Sequence, residues 1–541
     1  MYEANAKMLR QGQKKEMWTK FCGFLDLNMN EFMEIQERLL LEQLELYKGC
    51  KLGEKFIGPR MPRNIEEFRS MVPITTYEDY EEYFELKRED VLPQPALGWA
   101  RTSGRSGKMK WIPYTRQSYQ RLGERVLSGV ILAAARYKGD INIAEHDTLI
   151  TNTPPRPFVS GVALQALAEQ FNFKFIPPLD QTEKMEFQER IVKGFEAAMI
   201  DGIDILGSLS VVLVKMGERF AQGAQTTKLS MKMLHPKVIL RFLRAFIRAK
   251  IEKRGILPKD LWKVKGIPSG GMDTSIYKDK IAYYWGIPPY DQYGSTEEGA
   301  IATQSWTKKT MTFFPDAAFL EFIPEDEWAI WRMDHSYRPK TVLLNEVQPH
   351  KRYELVITNF YGKPLLRYRL HDLFMINALE DSETGIRLPQ VTFVGRSNDF
   401  IDLSGFTGLI DEKMVWRSIL NTGIDYEEWS IRKEIEDGTP MLHLYIETRD
   451  GVDANTVQKK VHESMKLLNP YYADYEKMIE KESLKVTILA HGTYSTYSKE
   501  MHAAGADLAH LKPPHMNPTD HTVEHLLEIH RRISAGIPEI T

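Results

Sequence analysis

The spacing of apolar and polar positions divides the chain into stretches with different predicted structures. Between residues 31 and 48, apolar side chains recur every three or four positions, which predicts an amphipathic helix that ends near Gly49. From about Asp147 onwards, short apolar runs broken by prolines alternate with helical stretches. This alternation predicts βαβ units and a mainly parallel sheet. A later basic helix, VILRFLRAFIRAKIEKRG, is interpreted as presenting a solvated charged face.

Period-two alternation begins around Tyr353, where YELVITN and PLLRYRL are predicted strands joined by a turn at Tyr361 and Gly362. After Gly395 the pattern restarts, with strand-like MLHLYIE and LKVTILA on either side of a helical VQKKVHESMKLL. The predicted fold class is therefore α/β. A large N-terminal domain, residues 1–395, would combine mainly parallel α/β subdomains with a β-rich subdomain, and a smaller α+β domain would span residues 396–541.

Composition narrows the class of protein. With 541 residues, 43% apolar and 27% charged, the chain is typical of a globular enzyme with more than one domain. Its net charge of −3 argues against nucleic acid or a membrane as a partner, so small-molecule substrates are expected. Cys22 and Cys50 lack metal-ligand spacing and are interpreted as reduced thiols. The N-terminus lacks a signal-peptide pattern, and we expect a cytoplasmic protein.

The first segment that suggests chemistry is rich in glycine, hydroxyl and cationic residues. Glycines let the backbone approach an anion, while hydroxyls, backbone N–H groups and cationic side chains bind phosphate oxygens. The segment lacks the glycine spacing of a Walker A loop, and taken alone it is also typical of a surface turn. The predicted phosphate-binding residues are Thr102, Ser103, Gly104, Ser106, Gly107 and Lys108.

Two further segments follow predicted strands. Ser269, Gly270 and Gly271 come after a short apolar run, where small residues allow a flat base to lie against the backbone at the carboxyl edge of a sheet. Some twenty residues later comes a segment with an aromatic ring, a glycine, two hydroxyls and a carboxylate suited to Mg²⁺ beside phosphates. Its members are Tyr293, Gly294, Ser295, Thr296 and Glu297.

The last candidate is Asp372, at the end of the period-two region, where a carboxylate is suited to accept hydrogen bonds from ribose hydroxyls. An isolated aspartate at a strand end is more often a cap or a turn residue. The order along the chain favours a nucleotide site, because the predicted phosphate loop, base shelf, metal carboxylate and ribose carboxylate precede a possible hinge at Arg396.

Taken together, these motifs resemble the acyl-adenylate-forming superfamily, and within it the acyl-acid amido synthetases of the auxin- and jasmonate-conjugating type. TSGRSGKMKWIP, YGSTE and YRLHDL are similar to the motifs of that family, and the similarity runs from VPITTYEDYEEYF to HLKPPH. The resemblance implies an enzyme that uses ATP and Mg²⁺ to activate a small carboxylic acid as an acyl-adenylate. The acyl group would then pass to an amine acceptor, expected to be an amino acid.

The resemblance also implies roles for individual residues. Ser103, Ser106 and Lys108 would hold ATP phosphates, Gly270 and Gly271 would line the adenine, Tyr293 would stack on it, Glu297 would bind Mg²⁺, Asp372 would bind the ribose, Arg396 would begin a mobile C-terminal domain, and Lys512 would be a catalytic lysine. The sequence departs from the superfamily pattern at His371, where glycine is common, and at Asn398, where an acidic residue is common. It also lacks the usual PxxxxGK lysine segment.

Three alternatives remain open from the sequence. A coenzyme A ligase of the same superfamily would share every nucleotide motif. His521, Glu524 and His525 fit the HxxEH spacing of some metallopeptidases, although such a short pattern arises easily in a histidine-rich tail. A nucleotide-binding regulator without turnover is the third alternative, and no sequence feature favours it.

Overall fold

The computed structural model describes residues 2–102, 110–185, 187–221, 235–270, 274–334, 336–397, 400–401, 403, 410–436, 439–449, 451–479, 481–503 and 515–535. Two compact units divide the chain, residues 1–394 and residues 395–541. Within the described residues, no helix combines the length and the apolar character that crossing a membrane requires.

Helices make up much of the first unit. They are α1 (Tyr2–Arg10), α2 (Lys14–Cys22), α3 (Met29–Leu46), α4 (Lys51–Phe56), α5 (Ile65–Met71), α6 (Glu81–Phe84), α7 (Arg116–Ala134), α8 (Val159–Gln170), α9 (Leu179–Thr182), α10 (Phe187–Asp201), α11 (Ser210–Ala221), α12 (Pro236–Ile251), α13 (Pro258–Leu261), α14 (Thr274–Trp285) and α15 (Glu325–Met333).

The strands of this unit, the last of which runs into the second unit, are β1 (Gly98–Arg101), β2 (Trp111–Tyr114), β3 (Thr148–Thr151), β4 (Lys174–Ile176), β5 (Ile205–Leu209), β6 (Pro268–Gly270), β7 (Tyr290–Ser295), β8 (Gly299–Gln304), β9 (Met311–Phe313), β10 (Ala318–Pro324), β11 (Arg352–Asn359), β12 (Tyr368–Ala378) and β13 (Gln390–Arg396).

Eleven of the described strands form one mixed sheet in the order β10-β11-β12-β13-β9-β8-β7-β6-β5-β3-β4. From β4 to β7 neighbouring strands are parallel, whereas β7/β8, β8/β9, β9/β13, β10/β11 and β11/β12 are antiparallel. β7 is therefore the strand at which the parallel part meets the antiparallel part. The parallel part corresponds to the predicted βαβ units and the antiparallel part to the predicted period-two region.

Alternate residues of the parallel strands enter two different cores. Leu149 and Ile205 belong to one apolar cluster, which also contains residues of α7 and α8. Their neighbours Ile150 and Leu206 belong to a second cluster with Phe195 of α10. Because successive side chains of a strand point to opposite faces, the sheet is covered by helices on both sides. In open α/β sheets of this kind, ligands usually bind at the carboxyl edge of the strands.

The helix predicted for residues 31–48 is α3, and its start is fixed by a capping box. The Asn28 side chain accepts a hydrogen bond from the Glu31 N–H (3.1 Å), and the Glu31 carboxylate accepts one from the Asn28 N–H (2.8 Å). Farther along the helix, the buried Gln36 donates to the carbonyls of Pro315 (2.5 Å) and Ala318 (2.8 Å). These bonds attach α3 to the start of β10.

The second unit consists of helices α16 (Glu412–Asn421), α17 (Ala454–Leu468), α18 (Pro470–Ile479), α19 (Thr493–Ala503) and α20 (Asp520–Ser534) and strands β14 (Tyr426–Glu436), β15 (Thr439–Thr448) and β16 (Leu484–Leu489). β14 and β15 are antiparallel, whereas β15 and β16 are parallel with α17 and α18 between them in the chain. Tyr445, Tyr494 and Leu526 belong to its core.

His515 is buried and belongs to a short segment, residues 515–517, that lies beside β14. The ring nitrogens of His515 lie 2.5 Å from Glu412 and 2.6 Å from Glu428, and the ring stacks on Trp429 at 4.3 Å. Backbone hydrogen bonds join Ile431 to this segment. We refer to His515, Glu412 and Glu428 as the His515 cluster.

Candidate active site

Two motifs that are far apart in the sequence meet at the carboxyl end of β7. The Tyr293 hydroxyl donates a hydrogen bond of 2.5 Å to the Asp372 carboxylate. The Tyr293 ring stacks on Phe393, with centroids 5.4 Å apart, and meets Phe374 edge-on at 4.7 Å. Both partners of the hydrogen bond are buried, at 8% and 6% exposure. The tyrosine expected to stack on the base and the aspartate expected to bind the ribose are thus in direct contact, and the Tyr293 ring is itself packed against Phe374 and Phe393.

An irregularity in β12 brings Asp372 to this position. The register between β11 and β12 shifts between Glu354 and Val356, and His371 inside the shifted stretch has φ of 60°. This left-handed backbone favours glycine, because a Cβ is strained there. His371 Nδ1 lies 3.3 Å from the buried carboxylate of Glu354, which helps to hold the bulge. The position where the superfamily commonly has glycine is therefore one with a glycine-like backbone.

The turn between β7 and β8 depends on a close backbone approach. A Cβ on Gly294 would lie 2.6 Å from the carbonyl oxygen of Gly299, which is too short for any side chain. Gly299 has φ of 86°, and a Cβ there would lie 2.5 Å from Leu122 of α7. Gly294 is therefore required for the shape of the turn that carries Ser295, Thr296 and Glu297.

Beneath this turn lies a buried ionic network that the sequence motifs did not reveal. Glu298, 1% exposed, pairs with Arg125 of α7 (2.8 Å) and with Lys363 (3.2 Å). The Asn359 amide donates a third hydrogen bond to the same carboxylate (2.7 Å). Two cations and an amide thus satisfy one buried anion, as a buried charge requires. The adjacent acids of YGSTEE have different tasks, since Glu298 supports the turn from below.

Burial governs the charges of this network. Loss of solvation lowers the pKa of Lys363 to about 8, although the neighbouring Glu298 opposes that shift. Burial also raises the pKa of Glu298, and here Lys363 and Arg125 oppose the shift. The ammonium of Lys363 lies 3.9 Å from the centre of the Tyr114 ring, a cation–π contact. The network links α7, β2 and the loop after β11 to the turn.

Three side chains hold the main chain at Thr296 and Glu297 through hydrogen bonds. Lys363 Nζ (2.6 Å) and Asn359 Nδ2 (3.1 Å) donate to the carbonyl oxygen of Glu297, and the Tyr114 hydroxyl donates to the carbonyl of Thr296 (2.8 Å). The Glu297 side chain is partly exposed. A fixed backbone with an accessible carboxylate, next to two hydroxyl residues, fits a site that binds Mg²⁺ through one carboxylate plus substrate phosphates.

The predicted phosphate loop connects the two strands of a hairpin. Thr102 closes its base, because its hydroxyl accepts a hydrogen bond from the Lys110 N–H (2.9 Å) and its own N–H donates to the Lys110 carbonyl (2.9 Å). Ser103, Gly104, Ser106, Gly107 and Lys108 lie outside the described residues. The second strand of the hairpin ends at Tyr114, whose hydroxyl reaches the YGSTE turn.

The segment before the hairpin contacts both the hairpin and β12. Thr75 exchanges two backbone hydrogen bonds of 2.9 Å with Arg367 and Arg369. The Tyr77 hydroxyl accepts a hydrogen bond of 3.1 Å from the N–H of Trp111, at the start of β2. This segment therefore joins the base of the hairpin to the strand that carries the bulge.

The predicted base shelf lies on the strand next to β7. Ser269 pairs with Asp291 across the parallel β6/β7 ladder, so that Gly270 follows at the same carboxyl edge. The Ser269 hydroxyl bonds to the hydroxyl of Ser210 (2.7 Å) and to the carbonyl of Ser208 (3.1 Å), which leaves the backbone of β6 as the part suited to a base. β6 consists of Pro268, Ser269 and Gly270, so Ser269 and Gly270 belong to the strand itself and not to a turn after it. Gly271 lies outside the described residues.

The remaining predicted site residues belong to the chain after β12. Arg396 is the last residue of β13 and is partly exposed. Asn398 and Lys512 lie outside the described residues. Among the described residues, no group of three or more His, Cys, Asp or Glu side chains is arranged to hold a metal. In the HxxEH segment on α20, His525 Nε2 lies 2.5 Å from the carboxylate of Glu500 on α19.

Two regions of the chain match models of a known family. Residues 22–151 match the GH3 family N-terminal domain, and residues 311–396 match the GH3 family central domain. Together the two regions cover less than half of the chain. The first GH3 region includes the predicted phosphate loop, and the second includes Asp372 and Arg396. The family resemblance indicated by the motifs is therefore confirmed.

Two curated relatives are jasmonoyl–L-amino acid synthetases. The protein named JAR4 from Nicotiana attenuata is 31% identical over 147 residues, and the protein named GH3.5 from Oryza sativa subsp. japonica is 32% identical over 157 residues. Each alignment spans 26% of this chain, and it spans 23% of the first relative and 25% of the second. The matched part is thus about a quarter of each relative's length.

Solved structures with the same fold extend over nearly the whole chain. An acyl acid amido synthetase, AtGH3.15 in complex with 2,4-DB, aligns with a TM-score of 0.65 at 16% identity, covering 93% of this chain and 95% of that one. A 2-hydroxyisobutyryl-CoA ligase aligns with a TM-score of 0.58 at 13% identity, covering 93% of both chains. These similarities confirm the predicted α/β fold class.

Proposed function

We propose that this protein is an ATP-dependent acyl-acid amido synthetase, a ligase that joins a small carboxylic acid to an amino acid through an acyl-adenylate. The observation that carries the proposal is the contact between Tyr293 and Asp372 beside the YGSTE turn, in a chain with GH3 family domains. This contact supports one nucleotide site at the carboxyl edge of β6 and β7. Asp372 would bind the ribose, with Tyr293 holding its carboxylate in place.

The first step activates the acid. A carboxylate oxygen attacks the α-phosphorus of ATP, a P–O bond forms, and the bond between the α-phosphorus and pyrophosphate breaks. Ser103, Ser106 and Lys108 would bind the phosphates, and Gly270 and Gly271 would lie against the adenine. A Mg²⁺ ion on Glu297 would neutralise charge on the phosphate oxygens, which is the main catalytic contribution in such transfers. The backbone hydrogen bonds around Glu297 would keep its carboxylate in position.

The second step transfers the acyl group. The neutral amine of the acceptor attacks the acyl carbon, an amide bond forms, and AMP leaves with the bonding electrons. The acceptor's ammonium must first release a proton. We further propose that residues 396–541 act as a mobile domain from Arg396 onward and that Lys512 contacts the reacting phosphate. Closure of such a domain would exclude water from the adenylate.

The activation step is tested by acid-dependent exchange of radiolabelled pyrophosphate into ATP. Glu297→Ala is expected to abolish exchange, while Glu436→Ala, which removes a partly exposed carboxylate on β14, should retain it. Near-normal exchange in folded Glu297→Ala protein would contradict the metal role. No exchange by the wild-type protein across a broad panel of aromatic, aliphatic and fatty acids would contradict the proposed function.

The acceptor is tested separately, because a coenzyme A ligase would give the same exchange. Wild-type protein, ATP and an active acid are incubated with an amino-acid panel or with coenzyme A, and the product mass is measured. We expect an N-acyl amino acid. A thioester as the sole product would instead assign the protein to the ligases of coenzyme A. Two free thiols, Cys22 and Cys50, support the cytoplasm as the site of this reaction.

A further inference from the structure

Helix α12 presents an apolar face away from the core of its unit. Six large apolar side chains are about half exposed or more, and at 100° per residue they fall within an arc of about 140°. They are Ile239 (53%), Leu240 (48%), Leu243 (54%), Phe246 (56%), Ile247 (51%) and Ile251 (76%). Scattered exposed apolar residues are ordinary, whereas a continuous stripe of this kind marks a binding surface. We call these six residues the α12 face.

The opposite side of α12 is fixed to the protein. Val238, Ala245 and Ala249 are buried, and Ala245 belongs to the same core as Phe195 of α10 and Trp262. Phe242 is partly buried and packs against the same core, so the helix has an inward apolar side as well as the exposed α12 face. The interpretation of this segment as a solvated charged face is incomplete, since its outward surface is mainly apolar.

Positive charge lies along one flank of the α12 face. The helix has five basic residues and no acidic one. Lys237 and Arg244 are exposed on the flank next to Leu240 and Ile251. Lys250 is also exposed, but at 100° per residue it falls within the arc of the α12 face, near the end of the helix. Farther round, Arg248 pairs with Glu252 at 3.3 Å. The chain's overall charge of −3 thus conceals a local basic strip.

We propose that α12 docks this protein onto the surface of an anionic lipid bilayer. Large apolar side chains bordered by lysine and arginine are the pattern of a helix that lies in the membrane interface, where the apolar face enters the acyl region and the cations meet headgroup phosphates. The protein would be held at the surface by this helix, which would lie along the interface and would not cross the bilayer.

Two other occupants fit the surface less well. A second copy of the chain would bring two equally basic helices together, so that like charges would oppose the contact. A groove that encloses a basic amphipathic helix needs access to most of its circumference. That access is missing, because Val238, Ala245 and Ala249 are packed against the protein. A flat anionic surface needs only the exposed arc.

The proposal is tested by sedimentation of the full-length protein with vesicles. One set contains only phosphatidylcholine, and the other contains about one third phosphatidylserine. Wild-type protein is expected to partition onto the anionic vesicles, and Leu243→Asp with Phe246→Asp should lower the partition coefficient at least tenfold. Lys237→Gln with Arg244→Gln should lower it on anionic vesicles alone, since each cation near such a surface contributes roughly a fivefold factor.

Leu467→Asp is the matched control, because Leu467 is 85% exposed on α17 and lies outside the α12 face. It should bind vesicles like the wild type. Thermal unfolding establishes whether each variant is folded. If the double aspartate variant is unfolded, the comparison of wild type with Lys237→Gln/Arg244→Gln tests the proposal. The proposal is wrong if wild-type protein does not prefer anionic vesicles, or if the folded α12 variants bind as the wild type does. Sedimentation velocity adds a second outcome: a dimer that Phe246→Asp dissociates, without vesicle binding, assigns the face to a second copy and overturns the proposal.

Discussion

The His515 cluster makes the stability of the second unit depend on pH in a defined direction. Burial alone would lower the pKa of His515, but the charges of Glu428 and Glu412, together with hydrogen bonds to both, outweigh it and raise that pKa to about 9. An unfolded histidine has a pKa of about 6.5. Between these values the folded chain binds one more proton than the unfolded chain, so stability is lost as pH rises.

The size of this effect follows from the difference between the two pKa values. A gap of roughly 2.5 units at 1.36 kcal/mol per unit corresponds to about 3 kcal/mol. The contribution is fully present below pH 6.5 and lost above pH 9. We expect it to appear in the opening free energy of β14, which the segment at His515 joins through backbone hydrogen bonds with Ile431. Amide hydrogen exchange of peptides covering β14, corrected for intrinsic rates, measures that free energy at several pH values.

The comparison that isolates the cluster uses two histidine variants. His515→Gln should remove the decline between pH 7 and 9. His443→Gln, on the neighbouring β15, should keep it, because burial lowers the pKa of His443 despite its bond to Glu434, and its own titration therefore falls below pH 6.5. The same pH dependence in wild type and in folded His515→Gln would refute the reasoning. So would a decline that vanishes in His443→Gln.

Three further substitutions test the candidate site and its support. Gly294→Ala should destabilise the fold by roughly 1–3 kcal/mol through overpacking against Gly299, whereas Gly98→Ala has open space around its Cβ; equal urea midpoints for the two variants would contradict the close approach. Tyr293→Phe removes the hydrogen bond to Asp372 and should raise KM for ATP roughly tenfold to hundredfold in the exchange assay; an unchanged value would contradict its supporting role. Arg125→Met removes one of the two cations that pair with Glu298 and should lower the free energy of unfolding by about 3–5 kcal/mol. Arg116 is exposed on the same helix, and Arg116→Met should lower it by less than about 0.5 kcal/mol. Similar losses in the two variants would argue against the buried network.

Local patterns predicted much of the fold. The apolar spacing of residues 31–48 corresponds to α3, offset by two residues because the Asn28 capping box sets its start. The turn predicted at Tyr361 and Gly362 is present, with positive φ at both residues, 60° and 77°. The second predicted strand was placed too early, because β12 begins at Tyr368 and residues 364–367 of PLLRYRL belong to the loop after β11. Such features depend on residues that are close together in the chain, and so they can be predicted from a single sequence.

Contacts between residues far apart in the chain could not be predicted from the sequence. Glu297 and Glu298 are adjacent acids, and only burial beside Arg125 and Lys363 separates their tasks. The contact between Tyr293 and Asp372 joins residues 79 positions apart, and no spacing rule predicts it. The HxxEH spacing is visible in the histidine-rich tail. The buried histidine with two carboxylate partners is His515, and those partners, Glu412 and Glu428, lie 103 and 87 residues away in the chain.

The α12 face illustrates a different limit. Helical periodicity detects an apolar stripe and its angular width, but the pattern is the same whether the stripe meets the core or faces outward. On α12 the core side contains Val238, Ala245 and Ala249, with Phe242 packed beside them, and the six residues of the α12 face lie opposite. The tertiary structure is needed to tell these two arrangements apart.

We propose that motifs from distant parts of the chain bind one nucleotide. A crystal structure with an acyl sulfamate of adenosine, a stable analogue of the acyl-adenylate, tests this proposal directly. We expect the ribose hydroxyls on Asp372, the base against the end of β6, and the sulfamate beside Glu297. An analogue bound elsewhere, with Asp372 and Glu297 both out of its reach, would show that these residues do not form the nucleotide site.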